Sequence, residues 1–117
     1  MPKKVFVAIL RPPVGSTYFA EGLRLALGVI GGDEEHHVTI ACIGKGVNCA
    51  RKGVDISYAT EFLEFLPKNA AGKTFYVEKE SLEDERIPAS EVDENFAVVS
   101  RDELREKMLQ ADATFSF

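Results

Sequence analysis

The feature that most constrains the fold is an uninterrupted apolar run from Val5 to Leu10, bounded by Lys4 and Arg11. The run is rich in β-branched residues and is too short for a typical helix. A strand without polar positions has to be buried on both of its faces. Central strands of parallel sheets are buried in this way, so the run predicts a strand inside such a sheet.

A helix is predicted after this strand, from Tyr18 to about Ile30. Pro12 and Pro13 end the strand, and Ser16 or Thr17 can cap the helix. One apolar stripe of the helix consists of Phe19, Leu23, Leu27 and Ile30. Leu25 and Val29 lie off that stripe, and this second apolar face fits either a thick core or contact with another chain. Gly31 and Gly32 end the helix.

The rest of the chain continues to alternate between strands and helices. The predicted elements are a strand from His37 to Ile43, a helix from Tyr58 to Leu66, strands from Thr74 to Val77 and from Asn95 to Val99, a helix to about Gln110, and a last strand from Ala113 to Phe117. Ser100 and Glu103 have the spacing of a capping box at the start of the last helix. The alternation predicts an α/β fold with a mostly parallel sheet.

Length and composition predict one globular domain over residues 1–117 and exclude several classes of function. The net charge of −5 argues against a nucleic-acid-binding surface. Apolar runs are too short for a membrane helix or a signal-peptide core, so we expect a cytoplasmic protein that does not bind a membrane. The adjacent His36 and His37, and two cysteines seven residues apart, lack zinc-ligand spacing, so we expect no metal or other cofactor.

Two connections are candidates for a ligand site because they follow the carboxyl ends of predicted parallel strands. They run from Arg11 to Thr17 and from Gly44 to Gly53, and the second is a glycine-punctuated turn with room for one helical turn. Their small residues could hold an anion through backbone amides, but neither contains a nucleotide-binding glycine motif, and a tight turn without a ligand is the simpler interpretation of each. The candidate pocket residues are Pro13, Gly15, Ser16, Thr17, Gly44, Lys45 and Gly46.

The two cysteines have different expected roles. Cys42 lies in an apolar run and is expected to be a small buried hydrophobic residue. Cys49 follows in the second connection, close in sequence to Lys45, Arg51 and Lys52. Cations near a thiol favour the nucleophilic thiolate, so Cys49 is the candidate catalytic residue. The alternative is a structural cysteine with no chemical role.

The stretch from Glu78 to Glu94 is strongly acidic. It holds eight acidic residues against two basic ones, whereas the remainder of the chain is nearly neutral. An exposed connection is the simplest interpretation. The alternative is a docking surface for a basic partner protein.

Four motifs, spread over nearly the whole chain, resemble those of DsrE/DsrF-like sulfur-relay proteins. Arg11-Pro-Pro-Val-Gly-Ser16 is similar to the family's R-x-P-Y-G loop, and Gly44-Lys-Gly-Val47 to its D-D-G-V turn. Tyr76-Val-Glu-Lys-Glu-Ser-Leu82 and the ending Ala111-Asp-Ala-Thr-Phe-Ser-Phe117 resemble the DsrF/TusC branch, where "Y-V-D-x-x-S-L" and "ADAVFSF" are typical. Val14 departs from the first pattern, and Gly44 and Lys45 replace the paired acids of the second.

The resemblance implies a three-layer fold with a five-stranded sheet. It also implies assembly with DsrE/TusD-like and DsrH/TusB-like subunits in a complex that passes sulfur as a cysteine persulfide. In DsrE/TusD subunits the acting cysteine lies just after strand three. This chain has Glu78-Lys79-Glu80-Ser81 there, and DsrF/TusC subunits also lack the cysteine.

Three hypotheses therefore stand. The first is a non-catalytic DsrF/TusC-like subunit of a sulfur-relay complex, with a basic sulfur-carrier protein as a further possible partner. The second is a self-associating sulfur carrier that uses Cys49. The third is a module that binds a small anion or a nucleotide.

Overall fold

The computed structural model describes residues 3–13, 18–31, 36–54 and 66–117. Its five strands form one sheet in the order β4-β3-β2-β1-β5, and every neighbouring pair is parallel. The strands are β1 (Lys4–Ile9), β2 (His37–Cys42), β3 (Phe75–Glu78), β4 (Phe96–Val99) and β5 (Ala113–Ser116). Each predicted strand is present, with its ends shifted by at most one residue.

Helices occupy the connections between the strands. They are α1 (Tyr18–Ile30), α2 (Lys79–Asp84) and α3 (Arg101–Gln110), with two 3-10 helices, Gly44–Ala50 and Ala89–Glu91. The capping residues proposed for α1, Ser16 and Thr17, lie outside the described residues, as does the predicted helix from Tyr58 to Leu66 except for Leu66 itself.

Strand β1 is buried on both faces, as its apolar sequence predicts. Val5, Val7 and Ile9 belong to one hydrophobic cluster, which also contains α1 residues. Phe6 and Ala8 belong to a second cluster, where Leu104 of α3 packs. Since α1 and α3 cover opposite faces of the sheet, the protein has the expected three-layer α/β/α architecture.

The face that α1 turns toward the sheet differs from the predicted stripe. Phe19, Gly22, Leu23 and Ala26 are its buried residues, whereas Leu27 and Ile30 are only half-buried. Gly22 causes the difference, because a Cβ atom there would lie 2.6 Å from the Ile9 side chain. The small residues Gly22 and Ala26 thus let α1 approach the sheet closely. As a result, these two residues face the sheet more directly than Leu27 and Ile30 do.

Helix α3 has the cap that the sequence predicts. The Ser100 hydroxyl accepts a hydrogen bond from the backbone N–H of Glu103 at 3.2 Å. The helix joins β4 and β5, which lie at opposite edges of the sheet, so it crosses an entire sheet face. Among the described residues, none of the helices combines the length and apolar character needed to cross a lipid bilayer.

Candidate functional site at the carboxyl edge of the sheet

The two connections singled out in the sequence meet at the carboxyl edge of the sheet. Together with the end of α2 they border a groove of about 500 Å³. The connection after β1 contributes Pro12 and Pro13, and Glu85 follows α2. The residues after β2 that line the groove are Lys45, Asn48, Arg51, Lys52, Gly53 and Val54. Of the predicted pocket residues, Pro13 and Lys45 therefore line one groove.

The 3-10 helix Gly44–Ala50 lies beside this groove and packs tightly against the end of β1. Residues three apart share one face of a 3-10 helix, and Gly46 and Cys49 form such a face. A Cβ atom on Gly46 would overlap the carbonyl group of Ile9. The Cys49 thiol donates a hydrogen bond to the Arg11 carbonyl oxygen at 3.6 Å. This packing requires glycine at position 46.

The backbone amides proposed to bind an anion are used within the protein. The N–H of Gly44 donates to the Ser81 hydroxyl at 2.9 Å, and the N–H of Gly46 donates to the Ile43 carbonyl at 3.0 Å. These contacts take up the donors that an anion would need. The other amide candidates, Gly15, Ser16 and Thr17, lie outside the described residues.

The cationic side chains of the groove are partly neutralised. Lys45 lies 3.7 Å from Glu85, and Arg51 lies 3.8 Å from Glu91. The side-chain amide of Asn48 donates to Glu85 at 3.0 Å, which fixes the carboxylate that Lys45 approaches. Lys52 adds a further exposed cation to the rim. The groove thus carries mixed charge with a basic excess.

Both cysteines are buried in the protein interior. Cys42, the last residue of β2, is 0% exposed, and Cys49 is 1% exposed. The expectation for Cys42 is confirmed, whereas Cys49 is not on the surface of a loop. The Cys42 thiol donates a hydrogen bond to Cys49, and this bond, with burial, raises the pKa of Cys42. The same bond lowers the pKa of Cys49, although burial opposes that shift.

A polar cluster occupies the end of β3. Glu78 is buried, and its carboxylate accepts hydrogen bonds from the Ser81 hydroxyl and from the Arg101 guanidinium, the latter at 3.1 and 3.3 Å. The hydrogen bond to Glu78 and its negative charge raise the pKa of Arg101. Through Gly44, which donates to Ser81, the cluster joins the exits of β2, β3 and β4. We call Glu78, Ser81 and Arg101 the β3 cluster.

The acidic stretch is less available to a partner than its sequence suggests. Glu78, Glu85 and Glu91 have the internal partners given above. The Glu80 carboxylate accepts a hydrogen bond from the backbone N–H of Arg101, which lowers its pKa, and Asp93 accepts from Asn95. Glu83, Asp84 and Glu94 are exposed, and within the described part of the chain their side chains take no part in these hydrogen bonds and ion pairs. Most of the stretch therefore stabilises the fold around the groove.

Two other hollows lie away from this edge. One, of about 720 Å³, is at the amino ends of β2 and β3 and is lined by residues that include His37, Thr74 and Lys107. The other is an apolar hollow between α1 and β5. Ligands of open α/β sheets gather at the carboxyl ends of strands, which favours the groove. Within the described ranges, no three His, Cys, Asp or Glu side chains are arranged to hold a metal ion.

Comparisons with known proteins agree with this architecture. The sequence profile of the DsrE/DsrF-like family matches residues 3–117. The ychN protein from E. coli is 20% identical over 100% of both chains, with a TM-score of 0.75. A protein of unknown function from Methanobacterium thermoautotrophicum is 14% identical, with a TM-score of 0.75, over 98% of this chain and 99% of its own. These structural likenesses show a shared fold. No curated protein sequence matches the chain.

Proposed function

Because this chain belongs to the DsrE/DsrF-like family, we propose that it is a non-catalytic subunit of a cytoplasmic sulfur-relay complex, of the DsrF/TusC kind. The observation that supports this proposal is the β3 cluster. DsrE/TusD subunits carry their acting cysteine just after strand three, and here that position holds Glu78 and Ser81 in a buried hydrogen-bond network. Neither residue can form a persulfide.

The β3 cluster has a structural role in this proposal. A buried carboxylate is costly unless it is paired and hydrogen-bonded, and Glu78 is both. Its partners lie on α2 and at the first turn of α3, while Ser81 also holds Gly44 after β2. The cluster therefore fixes three strand exits relative to one another and shapes the edge of the sheet that would face a partner's sulfur-carrying cysteine.

The groove carries positive charges that complement the negative charge of a persulfide. A persulfide is anionic when deprotonated, and Lys45, Arg51 and Lys52 surround the groove with positive groups. Lys45 and Arg51 are exposed ion-pair members, so their pairing with glutamates is weak and exchangeable. In the assembled complex these cations would stabilise a partner's persulfide near this edge.

The apolar surface needed for assembly lies at the edges of the sheet. Phe115 of β5 is 42% exposed, and Val98 of β4 is 41% exposed. Phe115 borders the apolar hollow beside Gly28 and Val29 of α1. Edge strands with exposed apolar side chains are natural sites for a sibling subunit. We therefore assign this β5 edge to contact with a DsrE-like sibling.

Co-purification and sulfur labelling test the proposal. The chain is co-expressed with a DsrE-like and a DsrH-like protein, and the purified complex is supplied with a persulfide-loaded sulfurtransferase. We expect co-elution of the subunits, and persulfide on the DsrE-like subunit only. Stoichiometric persulfide on Cys49 of this chain, measured by mass spectrometry after alkylation, would overturn the non-catalytic assignment.

A second candidate function is sulfur carriage by Cys49 itself. The observation in its favour is the hydrogen bond from Cys42, which lowers the pKa of Cys49 and so favours its thiolate. Burial weighs against it, because a protein donor has to reach the sulfur directly. A Cys49→Ser variant distinguishes the two functions: the relay keeps full activity if this chain is non-catalytic and loses it if Cys49 carries sulfur.

A further inference from the structure

We propose that the hollow of about 720 Å³ at the amino ends of β2 and β3 binds a small organic phosphate, a phosphate monoester whose other part is apolar. We call it the amino-end hollow. It lies at the end of the sheet opposite to the groove, so the proposal is independent of the proposed role in sulfur relay. Its volume falls within the range of about 300–1,000 Å³ that small-molecule sites occupy.

The amino-end hollow exists because β2 and β3 separate toward their amino ends. Strand β2 pairs with β1 from His37 onward, but its pairing with β3 begins only at Ala41. The backbone N–H groups of Thr74 and Phe75 both donate to the Asn95 carbonyl oxygen, on the β4 side. The chain before β3 therefore turns toward β4 and away from β2, and an opening is left beside the first half of β2.

Two backbone N–H groups of β2 face this opening. Those of His37 and Ile43 donate to carbonyl oxygens on the β1 side. Because the backbone groups of a strand alternate between its two neighbours, those of Val38 and Ile40 point toward β3. Both residues line the hollow, and within the described ranges neither N–H has a hydrogen-bond partner on that side. Ile40 is 3% exposed, so its N–H is a buried donor that a ligand oxygen can satisfy.

Two lysine side chains line the same opening. The Lys68 ammonium group donates to the Thr74 hydroxyl at 2.9 Å, and that of Lys107 lies 5.2 Å from the centre of the Tyr76 ring. Since Thr74 and Tyr76 are two residues apart, the two ammonium groups are held at neighbouring positions of the wall. In the described part of the chain neither forms an ion pair, unlike the paired cations of the groove, and the described lining residues include no Asp or Glu.

The chemistry of the lining selects a doubly charged anion with an apolar part. A phosphate monoester carries roughly two negative charges and three acceptor oxygens, whereas a monocarboxylate balances only one of the two lysines. On the α1 side the hollow is lined by Ile30 and Leu66, which belong to or pack against the hydrophobic cluster of that sheet face. These residues bury the apolar part of the ester, which free phosphate lacks.

An NMR titration of the isotope-labelled full chain with phenyl phosphate tests the proposal. We expect saturable binding, with the largest shifts at the amide signals of Val38 and Ile40 and none at Lys52 and Gly53 of the groove. Inorganic phosphate should bind at least about tenfold more weakly, because it leaves the apolar wall uncovered. Absence of saturable shifts, or largest shifts at the groove, would overturn the proposal. Equal affinity for both anions would overturn the assignment to an organic phosphate.

Lysine variants provide an independent check of the same site. Lys107→Gln removes one cation from the hollow and should weaken phenyl phosphate binding about tenfold. Lys79→Gln is the matched control, since Lys79 is exposed on α2 and does not line the hollow, and its affinity should be unchanged. Lys68→Gln serves as the second variant, with the same expected loss, and circular dichroism checks that each protein folds. Equal affinities in folded hollow variants and in the control would overturn the proposal.

Discussion

The carboxylate of Glu78, the last residue of β3, accepts two hydrogen bonds from the guanidinium of Arg101, the first residue of α3. The two residues are 23 apart in sequence, and the Arg101 side chain is half exposed whereas that of Glu78 is 4% exposed. A surface cation thus neutralises a buried anion at the carboxyl edge of the sheet, where the proposed function would place the acting cysteine of a DsrE-like sibling. The same residues that stabilise this edge of the sheet leave no nucleophilic cysteine directly after β3.

Removal of the Glu78 carboxylate should destabilise the fold. In Glu78→Ala, the Ser81 hydroxyl and the Arg101 guanidinium lose their shared acceptor, and we expect a loss of about 1–3 kcal/mol in the free energy of unfolding. Urea denaturation measures the change. Glu83→Ala, at an exposed position of α2, is the matched control and should change stability by less than about 0.5 kcal/mol. Equal urea midpoints for the two variants would contradict a stabilising role for the cluster.

The close packing of the 3-10 helix against β1 gives a second prediction. Gly46→Ala places a methyl group 2.6 Å from the carbonyl carbon of Ile9, and backbone cannot yield as a flexible side chain does. We expect a loss of about 1–3 kcal/mol or more in stability. Gly28→Ala is the control, because open space surrounds that position in α1 and the substitution should stabilise the helix by about 0.5–1 kcal/mol. Opposite shifts in melting temperature are the expected result.

The Ser100 cap gives a third prediction. Its hydroxyl satisfies the N–H of Glu103, a donor that α3 cannot pair internally. Ser100→Ala should lower stability by about 1 kcal/mol. Ser90→Ala, at an exposed serine of the second 3-10 helix, should have little effect in the same thermal denaturation experiment. A Ser100→Ala protein as stable as the Ser90→Ala protein would show that the cap contributes nothing.

The sequence predicts the local elements well because hydrophobic periodicity and capping act over a few residues. The double-sided burial of β1 and the Ser100 cap are examples. Strand order depends on long-range pairing, which a single sequence does not encode in any local pattern. The connection of Arg101 to Glu78 was missed for the same reason, since neither residue has a local signal beyond its charge.

Cys49 illustrates a different kind of error. The glycines at positions 44, 46 and 53 indicate a turn with room for one helical turn, and such a connection suggests an exposed thiol. The structure has a 3-10 helix of seven residues there, and its buried residues are Gly46, Val47, Cys49 and Ala50. The spacing of three from Gly46 to Cys49, and again from Val47 to Ala50, is the signal that could have predicted the buried faces. Gly46 allows the 3-10 helix to lie close to β1, and the interpretation as a turn does not take this role into account.

The proposed function predicts a kinetic role for the cations of the groove. Lys52→Glu reverses a charge at the rim and should slow sulfur transfer through the assembled complex by a factor on the order of tenfold, because an anionic persulfide is then repelled. Arg105→Glu, an exposed charge reversal on α3, is the control and should leave the rate unchanged. Transfer is followed with a radiolabelled sulfur donor. Equal rates in both variants would count against persulfide binding at the groove.

The β5 edge gives the last prediction. Phe115→Asp introduces a charge into an exposed apolar position beside α1, and we expect the affinity for the DsrE-like sibling to fall at least about tenfold, equivalent to about 1.4 kcal/mol. Thr114→Asp is the matched control, since the adjacent residue of the same strand points to the opposite sheet face. Light scattering of the mixed subunits measures assembly, and circular dichroism checks that both variants fold. Unchanged assembly with Phe115→Asp, or an equal loss of affinity with both variants, would show that the subunit contact does not lie at this edge.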